Sequence, residues 1–162
     1  MLNDTKYKEM ILTAIKCGAN TDGKITKIKL AKLVYLADFI WYYLHLESMS
    51  GAEYRKLPYG PVSDAYFRML SELEDDEIIT VEKTNRAKLI SCNQVAETSA
   101  LTSEQIILLT KICKAWQSST TQEIVDFTHK QLPWQICRDR EIIPYCLIIQ
   151  EEPEQIYGKV QL

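Results

Sequence analysis

The longest apolar stretch of the sequence, residues 33–46, constrains the fold more than any other feature. It is fourteen residues long, and Asp38 and His45 are its only acidic or basic residues. Because a bilayer span takes about 20 apolar residues, this stretch is too short for a transmembrane helix. A helix that is apolar on most sides must instead be covered by the rest of the chain. The sequence therefore predicts a central buried helix over residues 27–46, with Thr26 as its N-cap.

Helical periodicity and turn signals predict the elements around this helix. A first helix is expected over residues 4–17, closed by Gly18, and a third over residues 65–73, after a turn at Pro58-Tyr59-Gly60-Pro61 and with Gly60 or Ser63 as its cap. Short β-branched runs at residues 78–81 and 87–91 predict a hairpin. Later helices are expected over residues 106–116, from Thr120 or Thr121 to His129, and from Pro133. We expect an α+β, mainly α-helical fold: one compact domain over residues 1–162 with a small antiparallel β-hairpin or sheet.

Composition narrows the class of protein. The 162 residues are 46% hydrophobic and 25% charged, which is typical of a globular domain. The N-terminus turns polar at once and lacks the apolar core of a secretory signal, so a cytoplasmic protein without membrane attachment is expected. Five scattered cysteines form no C-x-x-C pair, which predicts reduced thiols. A net charge of −3 argues against a general nucleic-acid-binding surface but leaves a local one open.

None of the common catalytic or nucleotide-binding signatures occurs in the sequence. Only two histidines, His45 and His129, are present, so a metal site would need ligands from distant parts of the chain. We expect neither a catalytic centre nor a metal or cofactor. A thiol dyad of His129 with Cys137, and an unfamiliar hydrolase using Asp38 and His129, are the enzymatic alternatives, and a structural role is favoured for these residues.

Asp38 is the one acid in the apolar part of the second helix. Burying an ionised carboxylate is costly unless hydrogen-bond donors surround it. We therefore expect Asp38 to satisfy buried donors, such as a tyrosine hydroxyl or backbone amides near the Tyr59-Gly60 turn, rather than to act as a catalytic acid.

Charged and aromatic side chains suggest where a partner would bind. Lysines gather at the start of the second helix, where a solvated face is the favoured interpretation; they are Lys24, Lys27, Lys29 and Lys32. Carboxylates dominate residues 63–77 and indicate either a solvated helix end or a face for a basic partner, in which case Glu74, Asp75 and Asp76 are the candidate contacts. In the second helix an outward-facing Trp41 or Tyr42 would also mark an interface.

Three stretches of the sequence resemble the Panacea (SocA-like) antitoxin-associated domain. They are residues 29–38 (KLAKLVYLAD), residues 50–54 (SGAEY) running into 57–62 (LPYGPV), and Thr128-His129 with Trp134 downstream. The similarity extends over roughly residues 5–148, in the family's order and approximate spacing. The positions that carry it are Lys29, Leu33, Tyr35, Asp38, Gly51, Tyr54, Tyr59, Gly60, Pro61, Val62, His129 and Trp134.

The resemblance implies a mainly helical α+β fold and an antitoxin role in a toxin–antitoxin system. Such a protein neutralises a cognate toxin, expected from the adjacent gene, by direct protein binding and without a cofactor. One alternative is a winged-helix-like DNA-binding regulator, although the second helix is too apolar to read a groove. Another is an orphan, phage-associated interaction protein. The sequence does not define an oligomeric state.

Overall fold

The computed structural model describes residues 1–95 and 97–162, and this part of the chain is mainly helical with two small sheets. The helices are α1 (Asp4–Gly18), α2 (Lys27–His45), α3 (Asp64–Asp75), α4 (Ser103–Trp116), α5 (Thr121–His129), α6 (Leu132–Ile136) and α7 (Pro153–Tyr157), with a 3-10 helix at Tyr145–Gln150. The strands are β1 (Ile25–Thr26), β2 (Tyr54–Leu57), β3 (Gly60–Ser63), β4 (Ile79–Lys83) and β5 (Lys88–Cys92). The predicted α+β, mainly helical class is confirmed. Among the described residues, the helices are all too short or too polar to cross a bilayer.

Helix α2 lies at the centre of the fold. Every residue from Lys29 to Trp41 is buried, and the helix packs against α1, α4, α5, β3 and the 3-10 helix. The Thr26 side chain accepts a hydrogen bond from the Lys29 amide (3.2 Å), which confirms the predicted N-cap. The helix ends where Leu46 takes a left-handed conformation with φ 62°. A buried central helix is therefore what the apolar stretch produces.

Gly18 lies at the end of α1, where that helix meets α2. The prediction that Gly18 closes the helix as a capping residue is wrong, because Gly18 is itself helical and Ala19 is the C-cap. A Cβ at Gly18 would stand 2.6 Å from Cδ1 of Leu33, which is fully buried. Close packing against Leu33, and not a left-handed backbone, is what requires glycine here.

The first sheet has the strand order β1-β5-β4. Its core is the predicted β4–β5 hairpin, in which Ile79 is opposite Cys92, and β1 adds to the other edge of β5 through Ile25 and Ile90. The order helix, strand, helix, helix, hairpin, with the first strand paired to the last, is that of a winged-helix domain. Here a second hairpin is inserted between α2 and α3.

That inserted hairpin consists of β2 and β3, where the sequence predicts only a turn. Leu57 pairs with Gly60 around Pro58 and Tyr59. The other edge of β2 is paired by residues 140–143, through bonds such as Ile143 N to the Tyr54 carbonyl (2.8 Å). Pro61 lies within β3 and the second partner of β2 is distant in sequence, so the weak local alternation did not reveal these strands.

Candidate protein-interaction surface and its supporting core

Asp38 is fully buried, and both of its carboxylate oxygens accept hydrogen bonds. One oxygen accepts from the Ser50 amide (2.7 Å), and the other accepts from Ser50 Oγ and Tyr54 Oη (2.6 Å each). Burial raises the pKa of Asp38 to about 6, against the opposing effect of these bonds. The expected tyrosine partner is confirmed. The amide is that of Ser50 and not one near the Tyr59-Gly60 turn, because the chain after α2 folds back over the helix.

Gly51 holds the chain in this position. Its φ is +79°, and a Cβ there would overlap the Met1 carbonyl. The Ser50 carbonyl accepts a bond from the Asn3 amide (2.8 Å) in the same place. The Asp38 cluster therefore fastens α2, β2 and the N-terminal residues together, which is a structural role.

Lys29 and Lys32 are buried, so the expectation that they lie on a solvated face is wrong. Lys29 Nζ donates to the carbonyls of Gln117 (2.9 Å) and Ser119 (2.6 Å). Lys32 has 0% exposure, and its Nζ donates to the Pro61 carbonyl (3.0 Å). Neither lysine forms a salt bridge with any residue that the structure describes. No local pattern signals this burial, because a lysine is ordinarily exposed and the carbonyls that accept from these two lie far away in the sequence.

The Lys32 ammonium is strongly perturbed by its surroundings. Burial alone lowers its pKa to about 7, because no carboxylate compensates for lost hydration. The side chain lies under Gly60, whose φ is +108° and whose Cβ would overlap the Lys32 stem. Pro61 and Val62 are buried beside it, whereas Tyr59 at the turn is 66% exposed. The Tyr59–Val62 element therefore covers the buried Lys32 side chain and leaves only the Tyr59 ring exposed to solvent.

Tyr35 on α2 contacts the segment that follows α5. Tyr35 Oη donates to Gln131 Oε1 (2.8 Å). The His129 ring stacks on Trp134, with centroids 4.1 Å apart, and Lys56 Nζ lies 4.7 Å from the Trp134 centroid. No sequence pattern predicts the bond between Tyr35 and Gln131, which are 96 residues apart.

His129 and Cys137 do not show the features of a thiol dyad. Burial, together with the nearby Lys32 charge, lowers the pKa of His129, and its buried Nε2 has no hydrogen-bond partner among the described residues. Burial also raises the pKa of the Cys137 thiol. A thiol nucleophile needs the opposite shift. Across the described residues, no three His, Cys, Asp or Glu side chains converge to hold a metal.

The aromatic residues proposed as interface markers lie mostly inside. Trp41 is only 6% exposed and its ring packs on His45, with centroids 3.8 Å apart. Trp41 is therefore not an outward-facing ring, and its candidacy as an interface contact is wrong, because this side of α2 is covered like the others. Tyr42 is half-buried and stacks on Tyr145, with centroids 5.3 Å apart.

The candidate acidic contacts lie at the surface. We call the exposed residues Glu74, Asp75, Asp76 and Glu77, at the C-terminal end of α3, the acidic cap. None of them forms an ion pair within the described residues, whereas Glu72 on the same helix is bound by Lys8 (2.7 Å) and Arg68 (3.2 Å). Carboxylates at a helix C-terminus oppose the helix dipole, so the acidic cap is not there to stabilise α3.

Comparison with known proteins identifies the family. The family model described as "Antitoxin SocA-like, Panacea domain" matches residues 30–135, which is more than half of the chain. This range contains Asp38, the Tyr59–Val62 element, the acidic cap and Trp134. No curated protein and no solved structure matches the sequence. The chain belongs to the SocA-like antitoxin family and contains its Panacea domain.

Proposed function

We propose that this protein is an antitoxin that neutralises a cognate toxin, encoded by the neighbouring gene, through direct protein binding. The family match over residues 30–135 is the observation that carries the proposal. The polar atoms of three side chains in the motif form hydrogen bonds inside the domain: Asp38, Lys32 and Tyr35. We infer that the shared motif builds a common frame, and that the surface on that frame selects the partner.

The charge of that surface favours a basic partner. The acidic cap offers four carboxylates that form no salt bridge with any described residue. Opposite charges across an interface accelerate encounter and select the partner more than they add to final affinity. A toxin with a basic contact surface fits this arrangement.

Neutralisation is proposed to work by occlusion, without turnover. Asp38 is fully buried and both of its oxygens accept hydrogen bonds inside the domain, so a substrate cannot reach it for proton transfer. Assays for hydrolase and transferase activity should therefore be blank for the wild type. A robust wild-type activity that is lost in Asp38→Asn or His129→Ala would overturn this part of the proposal.

A DNA-binding regulator is the second candidate, because the order of the first sheet and its helices is that of a winged helix. In such domains the helix before the hairpin enters the major groove. That helix is α3, which carries Asp64, Glu72, Glu74 and Asp75 against Arg68 as its one cation. Phosphate backbones repel such a helix, so the arrangement is better suited to a protein partner.

Co-expression tests the two candidates together. The neighbouring gene's product should arrest growth when expressed alone, growth should recover with this chain, and the two proteins should co-elute from a sizing column. In parallel, the purified chain is titrated with DNA from its own promoter at several salt concentrations. Tight, salt-sensitive DNA binding with no affinity for the neighbour would replace the antitoxin function with the regulatory one.

A further inference from the structure

An apolar pocket opens on the surface between α2, the β2–β3 turn and α3. Its volume is about 210 Å³, and the walls include Ile28, Ala31, Val62 and the rings of Tyr59 and Phe67. The atoms that line it are apolar at the surface, and the stem of Lys32 forms part of its floor. Pockets for drug-sized ligands usually measure about 300 to 1,000 Å³, so this one is suited to a single large side chain.

Two aromatic rings at the rim of this pocket are exposed without an evident role in folding. Tyr59 is 66% exposed and Phe67 is 43% exposed. One side of the Phe67 ring is occupied by Lys27, whose Nζ lies 5.0 Å from the ring centroid. Aromatic side chains around a well-formed pocket are typical of the central anchor of a protein interface.

The acidic cap lies on the same helix as this rim. Glu74 follows Phe67 by seven residues, two turns of α3, so both point in nearly the same direction and are about 10 Å apart along the axis. Ser71, exposed between them, is small and uncharged. This face of α3 therefore has the apolar pocket at one end and the carboxylates of the acidic cap at the other.

We propose that this face, comprising the pocket with its Tyr59 and Phe67 rim and the acidic cap, is the docking surface for the partner. It takes a basic protein segment that places one large apolar side chain in the pocket and a lysine or arginine about 10 Å away, beside Glu74. Charge complementarity and the size of the pocket select this occupant. The inference rests on the proposed antitoxin function and specifies its surface.

The experiment uses the full chain and the product of the neighbouring gene as the probe. Affinity is measured for the wild type and for Tyr59→Ser, Phe67→Ser and Glu74→Lys. The matched controls are Ile107→Ser, an equally helical apolar residue that is 55% exposed on α4, and Glu104→Lys, at an exposed acid on the same helix. Thermal melting establishes that each variant is folded, and the mass of the free chain reports self-association.

We expect Phe67→Ser and Tyr59→Ser to raise the Kd at least tenfold by faster dissociation. Glu74→Lys should slow association severalfold at low salt, with both controls within twofold of the wild type. A neighbour that does not bind the wild type overturns the proposed function and this inference together. Tight wild-type binding that the three variants leave intact overturns the inference alone. Self-association of the free chain that Phe67→Ser abolishes would also overturn it, by assigning the pocket to a second copy.

Discussion

The ammonium of Lys32 donates to the carbonyl of Pro61 across 3.0 Å, directly under Gly60. This bond joins the central helix to the β2–β3 hairpin and fixes the turn that exposes Tyr59. The same bond therefore holds the Tyr59–Val62 element of the family motif, and with it the wall of the proposed docking pocket that Tyr59 and Val62 form. Four predictions test this arrangement and the charges around it.

Gly60→Val should destabilise the domain by about 2 kcal/mol or more, because φ +108° disfavours a branched side chain and the new Cβ would overlap Lys32. Gly23→Val is the control, since φ there is +78° but no atom lies within 4 Å of a Cβ. Thermal and urea unfolding measure both. If both variants lose the same free energy of unfolding, the overlap with Lys32 adds nothing to the strain of a branched residue at positive φ.

Asp38→Asn should lower the free energy of unfolding at neutral pH by about 1 to 3 kcal/mol, since the new amide group presents donors to the donors of Ser50 and Tyr54. The pH dependence should change as well. Folding raises the pKa of Asp38 from 3.8 to about 6, so its contribution to stability is full below pH 4 and is lost as pH rises through 6.

The loss between pH 4 and pH 7 amounts to about 2 kcal/mol. It is measured as the difference between the wild type and Asp38→Asn in urea unfolding at each pH, which removes the contribution of other carboxylates. Asp139→Asn, at an exposed acid, serves as the control and should follow the wild type. A constant difference across this range would contradict a raised pKa for Asp38.

Lys32→Met should remove a rise in stability at alkaline pH. Folding lowers the pKa of Lys32 from 10.5 to about 7, so the unfolded chain binds more protons between these values and the wild type gains stability as pH increases. The gain is about 2 kcal/mol from pH 7 to pH 9. Lys83→Met, at an exposed lysine, should retain it. A wild type with the same slope as Lys32→Met would mean that the buried ammonium is better solvated than its surroundings indicate.

Reversing Glu74, Asp75 and Asp76 to lysine should slow association with the neighbouring gene's product and flatten its salt dependence, because rim charges act mainly on encounter. The matched change is at Lys24, the one lysine of the cluster that is neither buried nor part of the pocket wall, and it should have little effect. If the protein binds DNA instead, a lysine variant should lose about one unit of salt slope for each phosphate contact removed, and the acidic-cap variant should bind better. Stopped-flow association and DNA titration over a range of salt separate these outcomes.

The sequence by itself determined the central helix with its Thr26 N-cap and the β4–β5 hairpin. Each depends on residues close in the chain: an apolar stretch that any fold must cover, the Thr26 side chain three residues before the amide it accepts from, and two β-branched runs that share one turn. The need of Asp38 for buried donors also followed from its position alone, because the cost of burying a carboxylate does not depend on which donors meet it.

Only the tertiary structure decided which groups meet across long sequence separations. Strand β2 pairs locally with β3, but its other edge is completed by residues 140–143, more than 80 residues later. The burial of Lys29 depends on carbonyls after α4 that no local pattern specifies. Because a lysine is ordinarily exposed, the residue type alone predicts a solvent-facing position for Lys29, whereas the side chain is buried. The pocket between Tyr59 and Phe67 likewise arises where a turn and two helices come together, and its shape is a property of their packing and not of any one segment.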